Sequence, residues 1–315
     1  MDARAFDVVV VGKANVDYLV RGPRLPLPGQ SVNGDLFQQA PGGKGANQAV
    51  AAARLGARVA LVGRIGNDAR GDSVVEALLT EGVAVDHIVR DPSAPTGVAL
   101  CQVGGNGEKQ ILSAAGANSR LSVDDVRAAR DALTSTAVVL VSLGVPTDCI
   151  AEAIELGKAG GARVVLDPSP PLAMRPDLFA GLDVIRPNRS EARTLTGIDP
   201  CDPESGHGAA ADLMRRGAGA ACVQTGDLGD LLAWMEGTSM RHVFLPRFTV
   251  DRVDATGAGD AFAAALSVCL AEGRILAEAG PFASAAAALA TTVLGAQASL
   301  PRRAQVQALL AAQRG

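Results

Sequence analysis

Apolar runs without polar alternation recur along this chain: FDVVVVG near the start, then ARVALVG, AVVLVS, ARVVLD, LDVIRP and GAACVQTG. A strand with one wet face alternates apolar and polar residues, whereas a strand covered on both faces does not. The runs therefore predict a parallel sheet buried on both sides. Amphipathic stretches of helical length lie between them. They include GANQAVAAARLG, which ends at Gly56, and residues 147–158, 190–196 and 206–216. Alternating strands and helices joined by right-handed crossovers give an α/β fold, a three-layer αβα sandwich with a mainly parallel central sheet. Hydrophobic residues make up 48% of the 315 positions, enough to fill such a core.

Two regions break the rhythm. Residues 17–39 hold DYLVRG and SVNGDLFQ, separated by PRLPLPG; residues 96–113 hold TGVALCQV, the turn GGNG and EKQILS. The second is a hairpin signal, and neither region carries a crossover helix. They predict a small, mostly antiparallel sheet inserted into the body, either a lid over a cleft or edge hairpins without a role. The C-terminal part reads as helices over 257–271, 275–293 and 302–313. No repeat and no second domain is visible, so 1–315 reads as one domain.

Several function classes are disfavoured. Net charge is −4 with no dense basic tract, and aromatics are 3%, which argues against nucleic acid as a partner. The five cysteines form no CxxC pair and the three histidines no metal spacing, so a zinc site or disulfide framework is not expected. No apolar run has membrane-spanning length and no secretory signal is visible, so the expected protein is soluble, cytoplasmic and free of membranes. Lysine occurs only at Lys13, Lys44, Lys109 and Lys158. A position that keeps lysine in so arginine-rich a chain is a candidate for needing a compact ammonium.

Five stretches carry possible chemistry. In VDATGAGDAF, small residues Gly257, Ala258 and Gly259 open a helix and leave backbone N–H groups free for an anion. Asp260 beside them reads either as a helix cap or as a base taking a hydroxyl proton during phosphoryl transfer. The stretch fits neither a Walker loop nor a dinucleotide fingerprint. APGGKGANQAV offers Gly42, Gly43 and Gly45 for close approach, with Lys44 and Asn47 as donors; it suits a polyhydroxylated ligand or is a plain turn. Asn15 and Asp17 follow the first strand, where sheet ligands sit, or make an Asx turn. In RPNRSEARTL, Ser190 is the expected helix cap, and Glu191 either holds hydrated Mg²⁺ or is an ordinary first-turn glutamate. QTGDLGD lies along a nucleotide or simply turns into LLAWM.

Taken together and in this order, the stretches resemble the ribokinase-like (phosphofructokinase-B type) family of carbohydrate kinases, from about residue 8 to about residue 301. GGKGANQAVAAARLGA and DATGAGDAF are its two signatures, and PTGVAL, GAN at 116–118, PNRSEA and GAQASLP match its ribokinase branch. The resemblance implies ATP-dependent phosphorylation of a sugar hydroxyl, ribose to ribose 5-phosphate first. A kinase for another sugar or a nucleoside is the alternative, and a non-catalytic sugar-binding pseudokinase the rival. It implies Asp260 as base and Gly257, Ala258 and Gly259 as the anion hole. Asn15, Asp17, Gly43, Lys44 and Asn47 would bind sugar. Asn188, Gln224, Thr225, Gly226, Asp227, Gly229 and Ser284 would line the ATP site. Glu191 would organise Mg²⁺ through water. Asp254, Thr256, Ala290, Val293, Gly295 and Ser299 match a monovalent-cation site for K⁺. A homodimer through the lid is implied as well.

The sequence also departs from the family pattern. Gly144 stands where a sugar-touching glutamate is common, and Ser113 and Cys101 occupy apolar lid positions. If the missing carboxylate limits ribose use, a glutamate placed at 144 is expected to improve it, and no gain would place substrate choice elsewhere. Gln224 stands where threonine is common, and Ser284 where a nucleotide-stacking histidine or asparagine is often found.

Overall fold

The computed structural model describes residues 4–105, 108–170 and 174–313. Its strands are β1 (Phe6–Val11), β2 (Asn15–Arg21), β3 (Leu36–Gly42), β4 (Val59–Gly66), β5 (Val83–Ala84), β6 (Ile88–Asp91) and β7 (Gly97–Val103). Then come β8 (Lys109–Ala114), β9 (Thr136–Ser142), β10 (Arg163–Asp167), β11 (Val184–Ile185), β12 (Ala220–Gln224), β13 (Asp230–Glu236) and β14 (Ser239–Phe244). A ten-stranded sheet runs in the order β14-β13-β12-β11-β10-β9-β1-β4-β5, with β6 beside β4. Every pairing from β12 to β5 is parallel, and only β13 and β14 join antiparallel at the edge. Those edge pairings follow the turn at 226–229.

The unalternating apolar runs are explained by what covers them. Val8 and Val10 of β1 point into one core, with Phe262, Leu266 and Ala283 from C-terminal helices. Val9 and Val11 point into the other, with Ile150, Leu166 and Leu213. All four valines are 0% exposed, so no position of the strand meets water. Burying one such side chain contributes roughly 1.5–3 kcal/mol. Layers of helices on both faces give the expected sandwich. Among the described residues no helix is long and apolar enough to cross a membrane, and the five cysteines are free.

The two irregular regions meet in one sheet of order β3-β2-β7-β8. Its two hairpin pairs are antiparallel, and β2 joins β7 in parallel, with Asn15 opposite Gly97 and Leu19 opposite Cys101. The period of two sorts its faces. Asp17 and Leu19 face inward, while Tyr18, Val20, Phe37 and Leu100 line an outer apolar hollow of about 370 Å³. Of the expected GGNG turn, Asn106 and Gly107 lie outside the described residues. The helix expected over 275–293 is Leu276–Leu289. It stops early because the Thr291 and Thr292 hydroxyls bond back to Ala288 and Leu289, and the Thr291 carbonyl accepts from Val253 and Asp254.

Candidate active site

Parallel strands end side by side, and the side chains that follow them share one rim. A cleft of about 420 Å³ lies there under the small sheet, walled by Lys13, Asn15, Asp17, Lys44, Asn47, Asp167 and the loop 255–260. The helix Ala258–Ala271 starts at Gly257, whose φ of 87° is the left-handed region that glycine occupies without strain. A Cβ at that position would lie 3.1 Å from the Ala296 carbonyl oxygen. The first-turn N–H groups of this helix have no intrahelical acceptors, so they and the helix dipole favour an anion.

Asp260 sits in that first turn with 4% exposure. It is no N-cap, because the Gly257 cap position carries no side chain and the Asp260 oxygens are bonded elsewhere. Asn47 Nδ2 donates to Oδ2 at 2.9 Å and Gln48 Nε2 to Oδ1 at 3.2 Å. Gln48 also donates to Asp167 Oδ2 at 2.7 Å, and Lys44 Nζ donates to the same oxygen at 3.0 Å. Lys44 lies 3.7 Å from Asp260 Oδ1, so one ammonium serves two buried carboxylates. Burial pushes the Asp260 carboxyl above its ordinary value; Lys44 opposes this, Asp167 adds to it, and Asn47 and Gln48 oppose it again. Burial works against the Lys44 charge, but Asp167, Asp260 and Glu191 outweigh it and hold the ammonium above its usual range. Lys44, expected as a direct sugar donor, is therefore first of all a counter-ion. Asn47 keeps its Oδ1, buried and without a partner among the described residues, as does Asp167 its Oδ1.

The acceptor wall is built by close approach. A Cβ on Gly42 would fall 2.1 Å from Asp17 Oδ2, so the Asp17 carboxylate lies over bare backbone. Burial raises its pKa to about 6, with Lys13 opposing and Asp260 adding to the rise. Asn15 is on β2, not in an Asx turn. Its Oδ1 accepts from Asn118 Nδ2 at 2.9 Å, and Asn118 also clamps both backbone groups of Ala14. Gly43 caps the helix Lys44–Arg54 with a φ of 88°. Gly144 has a φ of 115°, and a Cβ there would sit 3.3 Å from Lys13 Cδ. A glutamate at 144 would therefore strain the backbone as well as supply a carboxylate. Lys13 takes the adjacent space. Burial and Lys44 lower its pKa, against Asp17 and Asp260.

On the other side of the loop a second cleft of about 250 Å³ is lined by Gln224, Gly226, Gly229, Arg252, Ser284 and Ala288. The two share Arg186, Gln224, Ala255 and Ala258. Asn188, not Ser190, caps the helix Arg189–Thr196: its Oδ1 accepts from Glu191 N at 2.9 Å, and Glu191 Oε2 accepts from Asn188 N at 2.8 Å. Asparagine two residues earlier reaches the N3 amide with the side chain best placed for it. Glu191 nevertheless lines the cleft, with 2% exposure. Burial and Asp167 raise its pKa, against Asn188, Lys44 and Ser169. Thr225 does not line either cleft. It is 0% exposed and its hydroxyl donates to the Gly229 carbonyl at 2.6 Å, closing the turn. The Asp227 side chain lies outside the described residues.

Of the expected cation residues, Asp254, Thr256, Gly295 and Ser299 are linked by hydrogen bonds. Asp254 Oδ1 accepts from Thr256 N at 2.9 Å and Thr256 Oγ1 at 2.7 Å, and Oδ2 accepts from Gly295 N at 3.0 Å. Ser299 Oγ reaches the Thr256 carbonyl at 3.4 Å. Ala290 ends its helix, buried, and the Val293 side chain is exposed. The seat between Asp254 and Thr256 is taken by the ammonium of Lys109, bonded to Asp254 Oδ1 and, at 2.6 Å, to Thr256 Oγ1.

Sequence reasoning did not single out Asp167, Gln48 or Arg186. Asp167 and Arg186 each close an apolar strand run, ARVVLD and LDVIRP, the position where ligands gather. Gln48 is one helical turn beyond Lys44, so the two share a face. Arg186 stacks 4.7 Å over the Phe262 ring and lies 3.8 Å from Asp230.

An anion hole with a buried carboxylate between two clefts is the layout of a phosphotransferase acting on a hydroxyl. Residues 5–303 match the pfkB family of carbohydrate kinases, and the chain belongs to it. It is 36% identical to the ribokinase of Haemophilus influenzae over 296 residues, covering 94% of this chain and 95% of that one. It is 34% identical to the deoxyribokinase of Salmonella typhi over 257 residues, covering 81% and 83%. The structure of Arabidopsis thaliana ribokinase complexed with ribose and ATP superposes with a TM-score of 0.85, at 33% identity, covering 97% of this chain and 99% of that one.

Proposed function

We propose that this chain transfers the terminal phosphoryl group of ATP to a hydroxyl of ribose, giving ribose 5-phosphate, within one kinase domain spanning 1–315. The observation that carries this reading is the placement of Asp260, buried at the anion hole where two clefts meet. The acceptor lies in the first cleft, its hydroxyls bonded to Asp17, Asn15, the Asn47 carbonyl oxygen and the Gly43 backbone. The nucleotide lies in the second, along Gln224, Gly226 and Gly229 with Ser284 near its base, and with Asn188 and Arg186 toward the phosphates. Asp260 takes the acceptor hydroxyl proton as the oxygen bonds to phosphorus and the bond to ADP breaks. The N–H groups at 257–260 and Lys44 hold the charge that builds on the transferring group. The inner face of the small sheet excludes water.

Asp167 and Glu191 fit a magnesium ion: two buried carboxylates at the cleft, one with an unpartnered oxygen. They would hold it through water, and it would screen the phosphate charge. Among the described residues no group of His, Cys, Asp or Glu forms a complete metal cage, consistent with an ion held largely by water and phosphate. For potassium the fit fails, because the Lys109 ammonium already holds the Asp254 oxygen. A homodimer through the outer face of the small sheet is supported by the exposed Val20, Phe37, Leu100 and Leu112 side chains. Charged substitutions at Phe37 and Leu100 should give a monomer by light scattering. ATP as donor supports a cytoplasmic location for the reaction.

A second acceptor class, a sugar bearing a carboxylate or phosphate, is favoured by Lys13. Its ammonium faces the cleft beside Gly144, and no hydrogen bond or ion pair holds it among the described residues. ADP release over neutral pentoses, hexoses, deoxy sugars, nucleosides and sugar acids separates the two classes. Highest kcat/KM with ribose supports the first; an anionic sugar ahead of ribose replaces it with the second. Sugar binding without ADP release across the panel overturns both.

A further inference from the structure

The loop that leads to the anion hole depends on Asp254. This side chain is almost fully buried, so its charge needs a partner. Three of its hydrogen bonds come from the chain around it, two from Thr256 and one from Gly295. The positive charge comes from elsewhere. Lys109 opens β8, the edge strand of the small sheet. It sits opposite Val103 on β7, and the strand alternation places Lys109, Ile111 and Ser113 on the inner face, toward the cleft. Its ammonium bonds to Asp254 Oδ1 and to Thr256 Oγ1. Beside it lies a cavity of only about 50 Å³, lined by Lys109, Asp254, Thr256, Gly295 and Ala296 among others.

We propose that Lys109 is a tethered replacement for a monovalent cation, so that this chain works without potassium. An ammonium has one positive charge and three donors in a compact head, and it can sit among oxygens that would otherwise ligate an alkali ion. It neutralises Asp254 two residues before Thr256 and three before Gly257, and so sets the field behind the anion hole. It touches neither substrate nor reacting atoms and acts as a positioning residue. The arrangement also explains the choice of lysine in an arginine-rich chain, since a planar guanidinium has a different shape and hydrogen-bond pattern. Because the ammonium belongs to the small sheet and the carboxylate to the body, the same ion pair links the two.

The inference rests on the kinase reading for its rate assay, and a thermal arm keeps it testable without turnover. Full-length protein is compared in potassium chloride and in tetramethylammonium chloride at equal ionic strength, by ADP release and by Tm. Wild-type rates should agree within about twofold and its Tm should show no potassium-specific shift, because the site is already filled. Lys109→Ala should lose about tenfold or more in tetramethylammonium and recover severalfold in potassium, with a potassium-specific rise in Tm. Lys109→Met, which keeps the apolar stem, should behave alike and guards against a folding defect in the alanine variant. A wild-type protein activated severalfold, or stabilised specifically, by potassium overturns the proposal. So do variants whose rate and Tm are indifferent to potassium. If no sugar is turned over, the kinase reading fails while the Tm comparison still decides the cation question.

Discussion

At the end of the cleft where we propose the transfer, the groups are backbone N–H groups and one carboxylate, Asp260, clamped by Asn47 and Gln48. At the acceptor end they are side chains on separate elements: Lys13 beyond β1, Asp17 on β2, Cys101 on β7 and Ser113 on β8. The first set is fixed by a helix start and a buried network, and changing any one part disturbs all. The second can change residue by residue without touching the chemistry. In the proposed reaction the first end would carry the chemistry, and the second would select the acceptor.

The sharpest way to break this contrast is at Asp260. Asp260→Asn keeps an acceptor for Asn47 but removes the base, and kcat should fall by roughly 10²–10⁴ with ATP binding intact by calorimetry. Near-normal turnover would take the base assignment with it. A smaller effect, confined to the acceptor, should follow from Gly42→Ala, whose methyl would collide with the Asp17 carboxylate. The acceptor KM should rise about 10- to 100-fold while the KM for ATP stays put. Equal loss in both would show that the two ends are not separable.

Proton uptake gives the next test. The Asp17 pKa of about 6 is above the ordinary carboxylate value, so the folded state favours its protonated form. Folding therefore gains stability from this group as pH falls through 6, whereas sugar binding, if it uses the carboxylate as acceptor as proposed, should be lost over the same window. The acceptor KM should rise about tenfold between pH 7.5 and 5, and Asp17→Asn should flatten that limb. A steep limb surviving in the variant would assign it to another group. The smallest effect is expected from Lys13→Ser, which should change the ratio of kcat/KM for anionic over neutral sugars by a few-fold, roughly 1 kcal/mol in the transition state. An unchanged ratio would remove Lys13 from substrate choice.

The same contrast governs what could be read from sequence. The unalternating valine runs announced a sheet covered on both faces, because burial on two sides leaves no other composition. GAGD announced a helix start at Gly257, because a helix start that leaves its amides open needs small residues. The two breaks in rhythm announced the small sheet, though not the parallel β2–β7 pairing that joins its halves. What stayed hidden depends on distance in space. Nothing local to ARVVLD says that Asp167 meets Gln48 and Lys44. Glu191 read as a metal candidate and Ser190 as the cap, yet Glu191 completes a box with Asn188. Lys109 lay in an unremarkable hairpin, and only its register against β7 points it at Asp254.

Lys44 bridging Asp167 and Asp260 means that Asp260 does not set its own acidity alone. Burial and the neighbouring Asp167 charge hold the Asp260 carboxyl above its ordinary value, while Lys44, Asn47 and Gln48 oppose this, so the acidic limb of the rate profile depends on neighbours as well as on Asp260. Asp167→Asn, a change that leaves Asp260 itself untouched, should release Lys44 toward Asp260 and slide that limb to lower pH. The acidity of Asp260 is thus tuned in part from a residue at the end of β10.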